Sequence, residues 1–230
     1  PAPELAKVAG TYRVDSATYF VVRADRGRLS VSAIGQRAAN VMIFNRDTTS
    51  IRNRALAYDR MAATIRALST QDSAAAAVSL GSPGRGVRLM AAWRDAEKVY
   101  GRFRCAEVLG TDRLDRGVLL TTARLTFADS VKVIRSTWNG IAPGVNSDDA
   151  ALVNNFGFAI DAPVEAAVWS PYWYLDGDTL FTYDLLSNEA LRARVMRGAD
   201  GHAVELLFEA PGEAIRATRD RARTQGACER

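Results

Sequence analysis

The sequence predicts an α+β protein in two parts, an all-β unit interrupted by a unit of helices followed by strands. Three observations predict it. Across residues 54–141 the apolar residues recur first at helical spacing and then at a spacing of two. On either side, short β-rich runs alternate with turns built from Gly and Asp. The strands before the central stretch are too few to close a sheet by themselves, so partners have to come from the far end of the chain.

The central helices come first. Tyr58, Met61, Ile65 and Leu68 stand at i, i+3, i+7 and i+10 and share one face, with Arg60, Arg66 and Gln71 largely off it. Asp72 is a good N-cap for a second, short helix that runs through Val78 and stops at Gly81, and Ser82-Pro83-Gly84 is a turn cluster. A third helix puts Leu89, Ala92, Trp93, Ala96, Val99 and Tyr100 on one stripe, with Gly101 suited to the position just past its end. The period then changes to two. Phe103, Cys105, Glu107 and Leu109 alternate with their neighbours, residues 118–127 are rich in Leu and Thr, and residues 131–139 place Ile134 and Trp138 on one face. Helices followed by a meander make a layer in which the helices cover one sheet face.

These helices, ending in Trp93-Arg-Asp-Ala-Glu-Lys-Val-Tyr-Gly101, together with Phe103-Arg-Cys-Ala-Glu-Val-Leu-Gly110 and two more strands ending in Trp138-Asn-Gly140, resemble the nuclear transport factor 2-like, or ketosteroid-isomerase-like, cone. The resemblance implies a pocket between the helices and the concave sheet. Tyr58, Trp93, Tyr100, Glu107 and Trp138 are its candidate lining and ligand-binding residues. Glu107 is the candidate acid or base, because a carboxyl on a buried face is held toward its neutral form, and Tyr58 or Tyr100 would be its partner. The residues leave two other readings open: the face is wrong by one position, or Glu107 pairs with Arg124 or Arg135 across the sheet.

The flanks read as β structure. Residues 10–14, 18–23, 29–33 and 41–44 are four short strands, with residues 5–8 a helical turn and Asp25-Arg26-Gly27 a hairpin turn. After the centre, residues 156–160, 168–174, 179–183, 191–196, 204–208 and 214–218 are further strands. Residues 9–44 and 156–218 are expected to form one sheet system. Leu5-Ala-Lys-Val-Ala-Gly-Thr-Tyr12 with Gly27-Arg-Leu-Ser-Val31 at one end, and residues 191–208 with Ala214-Ile-Arg-Ala-Thr-Arg219 at the other, resemble the small lipocalin-like β-domain found C-terminal to serine β-lactamase-like (penicillin-binding-like) hydrolases. The expected architecture is thus a discontinuous antiparallel lipocalin-like β-barrel over residues 1–48 and 150–222, a cone-like α+β insertion over residues 49–149, and a tail over residues 223–230.

The resemblance also implies what the chain lacks. Those hydrolases depend on a Ser-x-x-Lys nucleophile, and no Ser here has a Lys three residues on; Ser130-Val-Lys132 is one residue short. The chain starts Pro1-Ala2-Pro3 and reads as a trimmed or excised fragment whose upstream part is elsewhere. The resemblance therefore implies a non-catalytic, extracytoplasmic accessory module, periplasmic or secreted, whose partner is an upstream catalytic domain of the same polypeptide, with a small hydrophobic ligand or a homodimer as further partners. A ketosteroid-isomerase-like or cyclase-like enzyme using Glu107, and a stand-alone secreted binding or dimerising protein, are the alternatives.

Composition narrows the chemistry. The 230 residues carry a formal charge of +4 with 48% hydrophobic and 24% charged residues, which is ordinary for a soluble domain. The arginines are interleaved with acids, which reads as a solvated surface rather than a nucleic-acid footprint. No apolar run reaches the roughly 20 residues of a membrane span. One histidine, His202, in a turn after Asp200-Gly201, and two cysteines, Cys105 and Cys228, give no metal or cofactor motif. A Cys105–Cys228 disulfide requires an oxidising compartment; otherwise Cys105 is a strand hydrophobe and Cys228 a tail thiol. Gly81-Ser-Pro-Gly-Arg-Gly86 reads as a helix connection rather than a phosphate loop, and Asn146-Ser-Asp-Asp149 lacks calcium-loop spacing. Trp169-Ser-Pro-Tyr-Trp-Tyr174 either packs or stacks on a sugar or other flat ligand.

Overall fold

The computed structural model describes residues 2–25, 27–42, 48–80, 83–113, 118–139, 153–157, 169–184, 189–210 and 213–220. They form an α+β protein with an eight-stranded closed antiparallel barrel and a separate antiparallel sheet packed with helices. The chain divides into two compact units.

The first unit holds helix α1 (Ala2–Val8), strands β1 (Gly10–Arg13), β2 (Tyr19–Asp25) and β3 (Arg28–Ile34), and helix α2 (Gln36–Val41). It resumes after the second unit with β8 (Trp169–Asp176), β9 (Thr179–Asp184), β10 (Glu189–Arg197), β11 (Ala203–Ala210) and β12 (Glu213–Asp220). Around the barrel each strand pairs with the next one this unit contributes, so β3 pairs with β8 across the insertion and β12 pairs back onto β1. Both flanks of the chain therefore belong to one sheet system. Alternation drives the inward face: Leu191, Ala193 and Val195 of β10 are buried while their neighbours are exposed. An eight-stranded barrel is just wide enough for side chains to fill it or for one small ligand. Here side chains fill it. Phe20 stacks on Phe208 at 4.0 Å between ring centroids, Trp173 meets Phe208 edge-on at 6.1 Å, and Leu29, Leu180 and Leu206 join the same core.

Closure is fixed by the two end motifs. Tyr12, fully buried, donates its hydroxyl to the Val8 carbonyl at 2.6 Å and so ties α1 to β1. Arg219 of β12 donates to the carbonyls of Lys7, Ala9 and Ala203. Arg13 of β1 pairs with Asp220 of β12 at 2.9 Å.

Residues 41–44 were expected as a strand, and here the structure corrects the sequence reading. Val41 ends helix α2, and Met42 is a turn residue; residues 43–44 lie outside the described set. The reason is local. Gly35 has φ +88°, where a Cβ would sit 2.6 Å from the Ala17 carbonyl, so the chain leaves β3 abruptly. Ala38, Ala39 and Val41 then bury at helical spacing in the barrel core. The helical turn expected over residues 5–8 is the longer α1.

The second unit holds helices α3 (Thr48–Ser69), α4 (Ser73–Leu80) and α5 (Pro83–Tyr100), and strands β4 (Phe103–Arg113), β5 (Val118–Phe127), β6 (Val131–Asn139) and β7 (Val153–Gly157) in the order β4-β5-β6-β7. The three strands from Phe103 to Asn139 are consecutive neighbours, as their sequence order predicts. β7 hydrogen-bonds to β6, so Phe156, expected in the barrel, sits in this sheet instead. Asp72 caps α4, accepting from the Ala75 N–H at 2.9 Å. α5 starts at Pro83, inside the expected turn cluster, because a proline without an N–H is well placed in a first helical turn. Gly101 ends it at φ +79°. One core joins Met61, Ile65, Leu68, Leu80, Met90 and Trp93 of the helices to Leu119, Ala123, Leu125, Ile134 and Trp138 of the sheet. Val99, expected on the α5 stripe, is 70% exposed.

Candidate functional site

Among the described side chains of the second unit's sheet, one row of buried hydroxyls shares the helix-facing side with apolar residues. Thr111 on β4, Thr121 on β5 and Ser136 on β6 are register partners across three strands, and all three are fully buried. The Thr111 and Thr121 hydroxyls lie 2.8 Å apart. Trp138 donates its indole N–H to Thr121 Oγ1 at 2.8 Å. The row is a consequence of alternation: Leu119, Thr121, Ala123, Leu125 and Phe127 share one parity of β5, and Thr121 is the hydroxyl among them.

Arg54 is the one charged side chain among the buried polar groups of this unit's described residues. It lies one turn before Ala57 and two before Met61, in phase with the buried stripe of α3, and it is 1% exposed. α3 packs against β4 and β5. A buried guanidinium is costly to desolvate unless polar groups meet it, and Arg54 has contacts of its own within the chain. Sequence reasoning passed over all four residues. The available signal for Arg54 was the extension of the Met61–Leu68 periodicity back by two turns, and for Thr121 and Ser136 it was a hydroxyl on the parity that otherwise carries Leu, Ala and Ile.

Of the residues singled out in the sequence, the structure brings Trp93, Tyr100 and Trp138 to one core. Trp93 is fully buried, 5.0 Å from Phe103 and 5.9 Å from Phe127 between ring centroids. Tyr100 packs 5.9 Å from Phe127, with the Lys132 ammonium 4.4 Å above its ring. Tyr58 is half-buried on α3 beside the stripe. Glu107 stands elsewhere. A bulge between Phe103 and Cys105 shifts the phase of β4, so Val108 rather than Glu107 packs with the core. Glu107 lies opposite Arg124 in register and forms an ion pair with it on the other face. That pairing is one of the two alternatives the residues had left open.

The remaining candidates separate cleanly. Cys105 is disulfide-bonded, and Cys228 is the only other cysteine of the sequence; Cys228 itself lies outside the described residues, as does the segment 146–149. His202 is exposed in the β10–β11 turn, where its backbone N–H donates to Asp200 Oδ1 at 3.0 Å. Among the described residues no group of three or more His, Cys, Asp or Glu is placed to hold a metal ion, and no helix is long and apolar enough to cross a membrane.

A row of hydroxyls and a guanidinium in an apolar setting can orient a polar or anionic head group. Arginine stays protonated and Thr and Ser do not titrate near neutrality, so this set suits binding better than proton transfer. Comparisons with protein-family models, with curated proteins and with solved structures gave no match to the chain.

Proposed function

We propose that this chain is a non-catalytic module in which the barrel is scaffold and the helix-covered sheet binds a small hydrophobic ligand with a polar or anionic end. The observation that carries the reading is the buried row of Thr111, Thr121 and Ser136 in the same unit as buried Arg54. Pairing of Glu107 with Arg124 weighs against a cavity base at that position. We read the second unit as a nuclear transport factor 2-like cone, on its order of three helices before a meander, and the first as lipocalin-like. Their combination, with the end motifs meeting at Tyr12 and Arg219, supports the role of accessory to a serine β-lactamase-like hydrolase domain. The disulfide at Cys105 supports an extracytoplasmic setting.

The test is a titration with decanoate followed by tryptophan fluorescence, alongside an esterase assay with p-nitrophenyl acetate. We expect a saturable change that Arg54→Met and Thr121→Val each weaken by about tenfold, the worth of one charged or buried hydrogen bond. Circular dichroism confirms that both variants are folded. A purely linear response overturns the ligand reading, and ester turnover that falls in Glu107→Gln overturns the non-catalytic one.

A further inference from the structure

The first unit carries a surface feature that its scaffold role does not use. Tyr172, Tyr174 and Tyr183 are 50%, 53% and 48% exposed. In this unit only Met196 joins them as a large apolar side chain that exposed, among the described residues. The strands explain the placement. On β8 the inward residue is Trp173, so its neighbours Tyr172 and Tyr174 point out of the barrel. Tyr174 is the register partner of Phe181 on β9, and Phe181 that of Arg192 on β10. Tyr174 and Phe181 lie 5.6 Å apart, tilted by 31°. The outer wall thus holds a strip of rings over two neighbouring strands, with successive rings along β8 about 7 Å apart.

The strip is flanked by arginines. Arg28, from β3, lies 5.1 Å from the centroid of the Tyr172 ring. Arg192 is exposed and has no ion-pair partner among the described residues, whereas Arg194 pairs with Glu209 at 3.3 Å and Asp178 with Arg197 at 2.6 Å. Asp176 is the exposed acid on β8, and Glu189 has contacts of its own. Arg192 also stands opposite Glu209 of β11 in register, so Arg192 and Arg194 together face one carboxylate on this side.

We infer that this strip is a binding platform for a carboxylate-bearing polysaccharide, a chain of uronic-acid pyranoses. Three features favour that occupant. A pyranose presents an apolar C–H face and a polar rim, and exposed phenols offer a flat apolar ring with a polar tip. The rings form a row over β8 and β9 rather than a single pocket, which suits an extended chain of repeating units. Nucleic-acid affinity rests largely on cations that neutralise phosphates, and Arg28 at Tyr172 with Arg192 opposite Phe181 supply few, while they suit the sparser carboxylates of a uronate chain. The inference stands apart from ligand binding in the second unit, which the decanoate titration tests by itself.

The experiment is isothermal titration of the full chain with a galacturonate hexamer, with cellohexaose and with an oligothymidylate, each at two salt concentrations. We expect saturable binding of the galacturonate that weakens with salt. Tyr174→Ala should lower affinity about tenfold, within the range for one stacked ring, and Arg192→Ala should remove part of the salt dependence. Both side chains are outward-facing, and an unchanged thermal midpoint shows that each variant is folded. Undetectable binding of the hexamer, binding that Tyr174→Ala leaves unchanged, equal binding of cellohexaose, or tighter binding of the oligothymidylate each overturns the proposal.

Discussion

Tyr12 shows how much one side chain can do at a barrel seam. Its ring belongs to the barrel core and its hydroxyl reaches the Val8 carbonyl. Burial pushes the phenol up to about 12 from its ordinary 10.0, with Arg219 and then Arg197 pulling slightly the other way. The sign follows from linkage: the folded state holds the proton more tightly than the unfolded state. The stabilisation is therefore complete below pH 10 and is lost as pH rises from 10 to about 12. We expect Tyr12→Phe to flatten that alkaline loss by about 2 kcal/mol relative to the parent, as read from urea melts at a series of pH values. Equal alkaline slopes in the two proteins would show that Tyr12 ionises freely. At the same scale, Glu107 illustrates how a bulge decides a side chain's fate. The alternation from Phe103 is plain in the sequence, but one extra residue in β4 moves Glu107 to the face of Arg124.

Among elements, the α4–α5 pair is the sharpest case, because two glycines of one helix face opposite demands. A Cβ on Gly86 would meet the Ser73 carbonyl oxygen at 2.5 Å and the Ala77 Cβ at 2.8 Å, whereas a Cβ on Gly84 meets nothing within 4 Å. Alanine in a helix is otherwise favoured over glycine by up to about 1 kcal/mol, and overpacking against backbone costs about 1–3 kcal/mol. Sterics should win at Gly86 and propensity at Gly84. We expect Gly86→Ala to lower the thermal midpoint and Gly84→Ala to leave it unchanged or raise it slightly, by differential scanning fluorimetry. A stabilised Gly86→Ala would mean that the two helices can separate at little cost. The α2 segment makes the complementary point. Residues 41–44 look like an apolar strand, yet Gly35 turns the chain and the alanines before Val41 favour a helix.

For the whole molecule, two cores in one chain predict two unfolding events. Phe208, stacked on Phe20 and edge-on to Trp173, belongs to the barrel core, and Trp93 and Trp138 belong to the other. Phe→Ala in a packed core costs about 3–5 kcal/mol. We expect Phe208→Ala to shift one calorimetric transition of the chain and to leave the other in place, and a single transition moving as a whole would show that the units unfold together. The barrel itself is discontinuous, with β3 and β8 paired across the insertion and β1 and β12 closing it.

How much of this was readable beforehand depended on the range of the interactions. Local rules were sufficient for much of the second unit's helices: the α3 stripe, the Asp72 cap and the Gly101 terminus rest on contacts within a few residues, and the sequence carries them directly, whereas α2 was read as a strand. Alternation is likewise plain in residues 191–196, and Leu191, Ala193 and Val195 face inward there. The sequence by itself also determined the α+β class and the order of β-rich, helix-strand and β-rich segments. Only the tertiary structure decided that Phe156 pairs with β6, that Val108 rather than Glu107 meets the core, that Arg54 lies buried and that three hydroxyls line up across β4, β5 and β6. Those outcomes depend on strand register and bulges, which are set by the packing of residues far apart in the chain, and a shift of one position in a strand exchanges its two faces.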